Sequence, residues 1–323
     1  MLEQFHVNGS DFEGPVLVTG AGGCIGSWAL SLLVDAGVKT VAFDLTEDKR
    51  RPRLLMAESD LAKVQWLTGN IGDTTLVAKT VAAVKPCAII HLAALQVPFC
   101  KADPVAGANV NVTGTVNVFE AARRSDVRRV AYASSIAAHG AMENSPWAAT
   151  LYGAYKYCNE QTARVYSDDF GLATVGLRPG VVYGVGRDQG MTSKTTVAIL
   201  AAAAGKPYSI PFTGPVSWLH AGEVASAFIK AVSVERDEAA VFDINGTAST
   251  VEQSLHMICK VAPGCQLQAT GNSLPFPMEL SDLPVRHFLG DYGKMELEDG
   301  IRFTYDRFKV LLAKNMLSAD NLT

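Results

Sequence analysis

The stretch from Val16 to Gly26, VLVTGAGGCIG, decides the fold. An apolar run, Val16-Leu17-Val18, meets glycines at Gly20, Gly23 and Gly26, and an amphipathic segment from Ile25 to Val34 follows. This is a strand turning tightly into a helix. Such a turn needs backbone angles that glycine supplies, lets the chain approach a pyrophosphate, and lets helix and sheet pack closely. The open helix N-terminus then offers free N–H groups to phosphate. A glycine trio alone is a weak signal, but the flanking strand, the helix and an acidic residue ending the next apolar run point to a dinucleotide site.

That acidic residue is Asp44, closing the run Lys39 to Asp44 eighteen positions past Gly26. A carboxylate there accepts the ribose hydroxyls of NAD and repels the extra phosphate of NADP. Arg50, Arg51 and Arg53 follow closely, so NADP is the competing reading.

Outward from this unit the rhythm continues. Lys63 to Thr68 reads as a strand, Thr74 to Val84 as a helix, and Cys87 to Ala93 as a buried strand. A long helix is expected over Asp103 to Arg124, then a strand at Arg129 to Ser134, a helix at Tyr152 to Phe170 and a strand at Leu172 to Leu177. Alternating strands and helices predict an α/β doubly wound parallel sheet. Past Gly180 glycines break the rhythm. Residues 1–179 are therefore expected to form the cofactor-binding domain, and residues 180–323 mainly a smaller substrate lobe interleaved with the end of the sheet.

At 323 residues and a net charge of −4, the chain can bury a large core and shows no basic run suited to nucleic acid. A small soluble substrate is the expected partner. The N-terminus lacks the pattern of a signal peptide and no apolar run is long enough to span a bilayer, so a cytoplasmic protein is expected. Cys24, Cys87, Cys100, Cys158, Cys259 and Cys265 form no CxxC pair and no cluster with histidine. They read as reduced cysteines, and no metal site is expected.

Tyr152 and Lys156 stand four apart in a helix-forming stretch, on one face and one turn apart. A neighbouring ammonium favours the phenolate, which suits the tyrosine to take a hydroxyl proton as hydride leaves the carbon. Ser134 and Ser135 close the preceding strand at the edge where ligands of open α/β sheets bind.

TGAGGCIG, AFD at the strand end, GNIGD at Gly69 to Asp73, HLAA at His91 to Ala94, NVTGT at Asn111 to Thr115, YGAYK at Tyr152 to Lys156 and LRPGVVYG at Leu177 to Gly184 stand in one order over most of the chain. Together they resemble the extended short-chain dehydrogenase/reductases, the NAD-dependent epimerase/dehydratase family. The resemblance implies a Rossmann-type fold and a homodimer formed through the helices at Asp103 to Arg124 and Tyr152 to Phe170. It implies Tyr152 as general acid/base, Lys156 as partner of the tyrosine and of the nicotinamide ribose, and Ser135, five before Gly140, as the residue that holds the substrate oxygen. By the same carry-over the NAD-binding set is Gly20, Gly23, Cys24, Ile25, Gly26, Asp44, Asn70, Ile71, Leu92, Ala93, Ala94, Asn111, Tyr152, Lys156, Pro179 and Val182.

The departures are informative. Only sixteen residues separate Ser135 from Tyr152, His139 stands in place of a common tyrosine, and Tyr155 precedes the lysine in place of a small hydroxyl residue. Nucleotide-sugar members usually carry Arg-Asp before the aromatic residue of the stretch Gly214 to Val224, where the arginine grips a diphosphate; here stand Val216 and Ser217. Gln96, Arg187, Gln189, Thr192 and Ser193 instead offer groups for a small polyhydroxy acid, with Arg187 the candidate carboxylate partner. His91 and His220 read as structural. The expectation is an NAD-dependent dehydrogenase oxidising a secondary hydroxyl of a small sugar acid or related hydroxy compound by hydride transfer to NAD. The alternatives are a nucleotide-sugar 4-epimerase or dehydratase with tightly bound NAD, and a non-catalytic NAD-binding scaffold.

Overall fold

The structure is a computed structural model that describes residues 2–277, 280–320 and 322. Among the described residues twelve strands are seen: β1 (Val16–Thr19), β2 (Thr40–Asp44), β3 (Gln65–Thr68), β4 (Ala88–His91), β5 (Arg129–Ala133), β6 (Thr174–Pro179), β7 (Val181–Tyr183), β8 (Tyr208–Ile210), β9 (Pro215–His220), β10 (Ala240–Ile244), β11 (Thr247–Thr250) and β12 (Leu267–Ala269). Seven form one parallel sheet in the order β10-β6-β5-β4-β1-β2-β3. This is the Rossmann-type, doubly wound arrangement that the alternating pattern predicts, with helices on both faces.

The near-continuous apolar strands explain the burial. Every residue of β1 and β4 is buried, as a parallel sheet covered on both sides requires. One face packs under the helices Cys24–Asp35 and Ala221–Ala231, around Trp28, Leu30, Leu33 and Phe228. The other packs under the helices Thr74–Val84, Gly114–Arg124 and Leu151–Phe170, around Phe119, Tyr132 and Val118. The strand order reverses between β1 and β4, so a crevice opens at their C-terminal ends, where the glycine turn lies.

The later chain joins this frame. β10 pairs in parallel with β6 and so becomes the outermost strand of the main sheet. β7, β9 and β11 build a three-stranded sheet, and β8 with β12 a two-stranded one.

One expectation is refined and one corrected. The long helix expected over Asp103 to Arg124 is present and contains a π-turn: the helix Pro104–Ala108, capped by Asp103, passes through a π-turn at Asn109–Thr113 and continues as Gly114–Arg124. The wider turn lets Asn111 direct its side-chain amide to Gly107 O at 3.0 Å and Leu95 O at 3.1 Å. The cysteines are not all reduced, since Cys259 and Cys265 are joined by a disulfide between the helix Val251–Val261 and the approach to β12. Pro263-Gly264 turns the chain back on itself there, a proximity that no paired-cysteine motif announces. Cys24, Cys87, Cys100 and Cys158 are free, and Cys158 is exposed.

Candidate active site

The C-terminal ends of β1, β2, β4, β5 and β6 open onto a cleft of about 660 Å³. Its cofactor side begins at the glycine turn. Gly20 has φ +67°, and a Cβ there would lie 2.6 Å from Ala93 N; a Cβ on Gly26 would collide with Gly20 O. The cradle is therefore closed to side chains. The helix Cys24–Asp35 starts with Gly23 at its N-cap and no side-chain cap, leaving its first N–H groups facing the cleft.

Asp44, at the end of β2, accepts hydrogen bonds from Gly22 N at 2.8 Å and Leu45 N at 2.7 Å. The nearby arginines are already engaged. Arg50 pairs with Asp48, Arg53 with Glu58, and Arg51 donates to Asp188 at 2.9 Å and to Gly22 O at 3.0 Å. A carboxylate free of basic partners fits a ribose with free hydroxyls, and this answers the NADP reading. Asn70, Ile71, Leu92, Ala93, Ala94, Pro179, Val182, Cys24 and Ile25 all line the same cleft. Walls desolvate the Cys24 thiol and push its pKa up to about 11.

The candidate reacting groups lie where β5 ends. Thr150 caps the helix Leu151–Phe170 by accepting from Gly153 N, which places Tyr152 in the first turn and Lys156 one turn on. Lys156 is buried, donates from Nζ to Ala133 O at 2.6 Å and stands 5.5 Å from the centre of the Tyr152 ring. Desolvation draws the Lys156 ammonium down to about 8. It also pushes the Tyr152 phenol up to about 12, against the lowering effect of a hydrogen bond with Ser135 and of the charge on Arg187. Here the balance differs from the sequence expectation, because enclosure outweighs every cation near the phenol.

The two serines have separate jobs. Ser135 caps the 3-10 segment Ile136–Ala141 and faces Tyr152, whereas Ser134 is buried and donates to Glu160. Glu160 binds Arg178 through two hydrogen bonds of 2.7 and 2.6 Å, and His139 meets Asp243 at 2.7 Å. His139, the residue in place of the usual tyrosine, thus ties the segment carrying Ser135 to β10.

Behind the cleft His91 is structural. It bridges Thr19 Oγ1 at 2.7 Å and Thr115 Oγ1 at 3.1 Å, and burial draws its pKa down to about 3. His220 is held between aromatic rings, stacked on Phe5 at 5.8 Å, and is likewise drawn down to about 3. Asn111 is fully buried and does not line the cleft. It braces the wall from behind, its carbonyl accepting from Asn159 Nδ2 at 2.8 Å.

On the substrate side, Gln96, Ser135, Arg187 and Thr192 come together at the cleft, and Gln189 joins them. Arg187 donates to Thr192 Oγ1 at 3.1 Å and to Gln96 Oε1 at 3.4 Å, while its Nε is shut off from solvent with no partner. Desolvation holds the guanidinium below its ordinary pKa. Ser193 does not join them; it is buried and donates to Gly190 O at 2.9 Å, bracing the loop. Val216 and Ser217 are buried inside β9, so no charged group occupies the place of the diphosphate arginine.

Sequence reasoning missed Arg51, whose guanidinium joins the glycine turn to the substrate loop, and the apolar residues Val97, Phe99, Met191 and Phe276. Arg51 stood out only as one of an arginine run. The apolar residues come from three distant segments with no shared motif. Among the described residues no cluster suited to a metal ion is found, and no helix is long and apolar enough to cross a membrane.

A parallel sheet with a glycine turn at its first strand, an acidic second strand and a Ser-Tyr-Lys set at the crevice defines an NAD-binding oxidoreductase class. Residues 16–244 match the model of the NAD dependent epimerase/dehydratase family, and the chain belongs to that family. It is 29% identical over 316 residues to the UDP-glucose 4-epimerase of Mycolicibacterium smegmatis, covering 91% of this chain and 98% of the relative. It spans only 40% to 42% of the length of the Arabidopsis thaliana UDP-glucuronate 4-epimerases that it also matches. Among solved structures, the Thermus thermophilus UDP-glucose 4-epimerase in complex with NAD is similar with a TM-score of 0.76 and 26% identity, over 91% of this chain and 99% of that one. The L-threonine dehydrogenase of Clostridium difficile shares the fold, with a TM-score of 0.78 at 18% identity over 92% and 98% of the two chains. The chain is thus an enzyme of the NAD-dependent epimerase/dehydratase family.

Proposed function

We propose that the enzyme is a dehydrogenase that oxidises a secondary hydroxyl of a small hydroxy acid, with sugar acids included in the class. The observation that carries this reading is Arg187. It places a desolvated guanidinium with an unpartnered Nε in the same cleft as Tyr152, which suits a carboxylate. Among the described residues the other cationic side chains lining the cleft are Lys156, committed to Ala133 O, and Arg51, committed to Asp188 and Gly22 O. A diphosphate would meet one guanidinium not tied to a carboxylate, Arg187, which already donates to Thr192 and Gln96, and Val216 stands where nucleotide-sugar members usually carry the gripping arginine.

In this reading Ser135 holds the substrate oxygen, Tyr152 takes the hydroxyl proton, and Lys156 favours the charged form of the tyrosine and holds the ribose. NAD, bound by the glycine turn and Asp44, supplies the hydride acceptor. Arg187 fixes the acid end, so that the carbon to be oxidised is presented in one orientation. The enzyme is further read as a cytoplasmic homodimer, paired through the helices Gly114–Arg124 and Leu151–Phe170, where Val165 and Phe170 remain exposed.

The test is NADH formation across aldonates, uronates and simple hydroxy acids. Turnover with an acid, lost on Arg187→Ala and partly kept on Arg187→Lys, supports the reading; conversion of a UDP-sugar with no net NADH rejects it. The second reading, a nucleotide-sugar 4-epimerase, is favoured by the names of the relatives. It predicts protein that carries NAD through purification and needs none added.

A further inference from the structure

Resting on the dehydrogenase reading, we infer that the preferred substrate is a hydroxy acid whose far end is apolar rather than polyhydroxylated. The acid end is set by Arg187, Gln96 and Thr192. Beyond these and Gln189, apolar side chains gather at the cleft. Phe99 and Met191 line the cleft and stay 44% and 41% exposed, while Phe276, from the segment after β12, reaches the same cleft almost fully buried. Val97, the first residue of its short helix, adds to them.

Single exposed hydrophobic residues are ordinary on a protein surface, but these converge from three chain segments on one cleft beside the reacting groups. Their unburied area is recovered only by an apolar ligand portion lying against them. A polyhydroxy chain in the same place would leave hydroxyls desolvated without partners, and so would bind more weakly. The chemistry of the step is unchanged. The carbinol carbon loses hydride to NAD, its hydroxyl proton passes to Tyr152, and a ketone with the same apolar end is released.

The experiment compares two series of equal carbon number with NAD and the intact enzyme: unbranched 2-hydroxy acids of three to eight carbons with 3-hydroxy acids of four to eight, and the matching polyhydroxy acids. NADH formation gives kcat/KM for each. The expected result is a rise of about fourfold per added methylene over at least the first three in the unbranched series. Phe99→Ser and Met191→Ser, each checked by circular dichroism and by NAD binding, should flatten that rise. A preference for the polyhydroxy acids at equal length, or an unaltered rise in both variants, overturns the inference and leaves the dehydrogenase reading standing. Absence of NADH with every acid of both series removes the dehydrogenase reading itself.

Discussion

Tyr152 shows how one residue is set by opposed effects. Its enclosure raises the phenol to about 12, and Ser135 and Arg187 pull the other way. Oxidation needs the phenolate, whose fraction rises tenfold per pH unit below its pKa. The kcat/KM for alcohol oxidation should therefore rise with pH until about 8, where Lys156 loses its charge. Steady-state profiles from pH 6 to 9 check this, and Tyr152→Phe should lower turnover by about 10²- to 10⁴-fold throughout. At Asp44 the effect concerns affinity. Removing a carboxylate that orders the glycine turn and is proposed to meet the ribose should raise KM for NAD by about tenfold or more in Asp44→Ala, since hydrogen bonds to a charged group are worth about 1.5 to 3 kcal/mol each. NADP should gain relative to NAD in the same assay. These residues were legible in the sequence because their spacing is fixed by the turn and by the helix repeat. Ser193 was not, because a serine beside a loop glycine reads the same whether it faces the cleft or Gly190 O.

Among the elements, those built on local periodicity were the most legible. The strand-helix units up to β6 follow the apolar runs closely, whereas the π-turn at Asn109–Thr113 has the composition of a regular helix and betrays itself only through the bonds made by Asn111. The small sheet of β7, β9 and β11 was equally hidden, since its strands pair across long stretches of chain. The disulfide is an element-level feature too. Cys259 and Cys265 are separated by 6 positions, and closing so short a loop restrains the unfolded chain only modestly. Cys259→Ser should lower the stability by about 2 kcal/mol, seen as a lower urea midpoint, with kcat close to wild type.

For the whole molecule, the seven-stranded sheet was readable up to its sixth strand, and its outermost strand β10 comes from after the point where the rhythm stops. Two buried histidines give this fold a shared weakness to acid. His91 and His220 stay neutral in the native state, drawn down to about 3, while an unfolded chain protonates them near 6.5. Their contribution is therefore intact above pH 6.5 and lost as the pH falls below it, by up to about 1.4 kcal/mol per unit for each histidine. Urea midpoints at pH 7.5 and 5.5 should differ accordingly, and His220→Phe, which keeps a ring in the aromatic cage, should shrink the difference.

The contact of Arg51 with both Gly22 O and Asp188 carries a kinetic consequence. It fastens the loop that holds Arg187 to the glycine turn, so in the proposed reading the acid-binding pole is completed on the cofactor's own wall. Under the proposed reaction the enzyme should follow a compulsory order, with NAD entering first and NADH leaving last. NADH should then compete with NAD but not with the acid in product-inhibition plots. Cutting the tie with Arg51→Ala should loosen that order toward random entry.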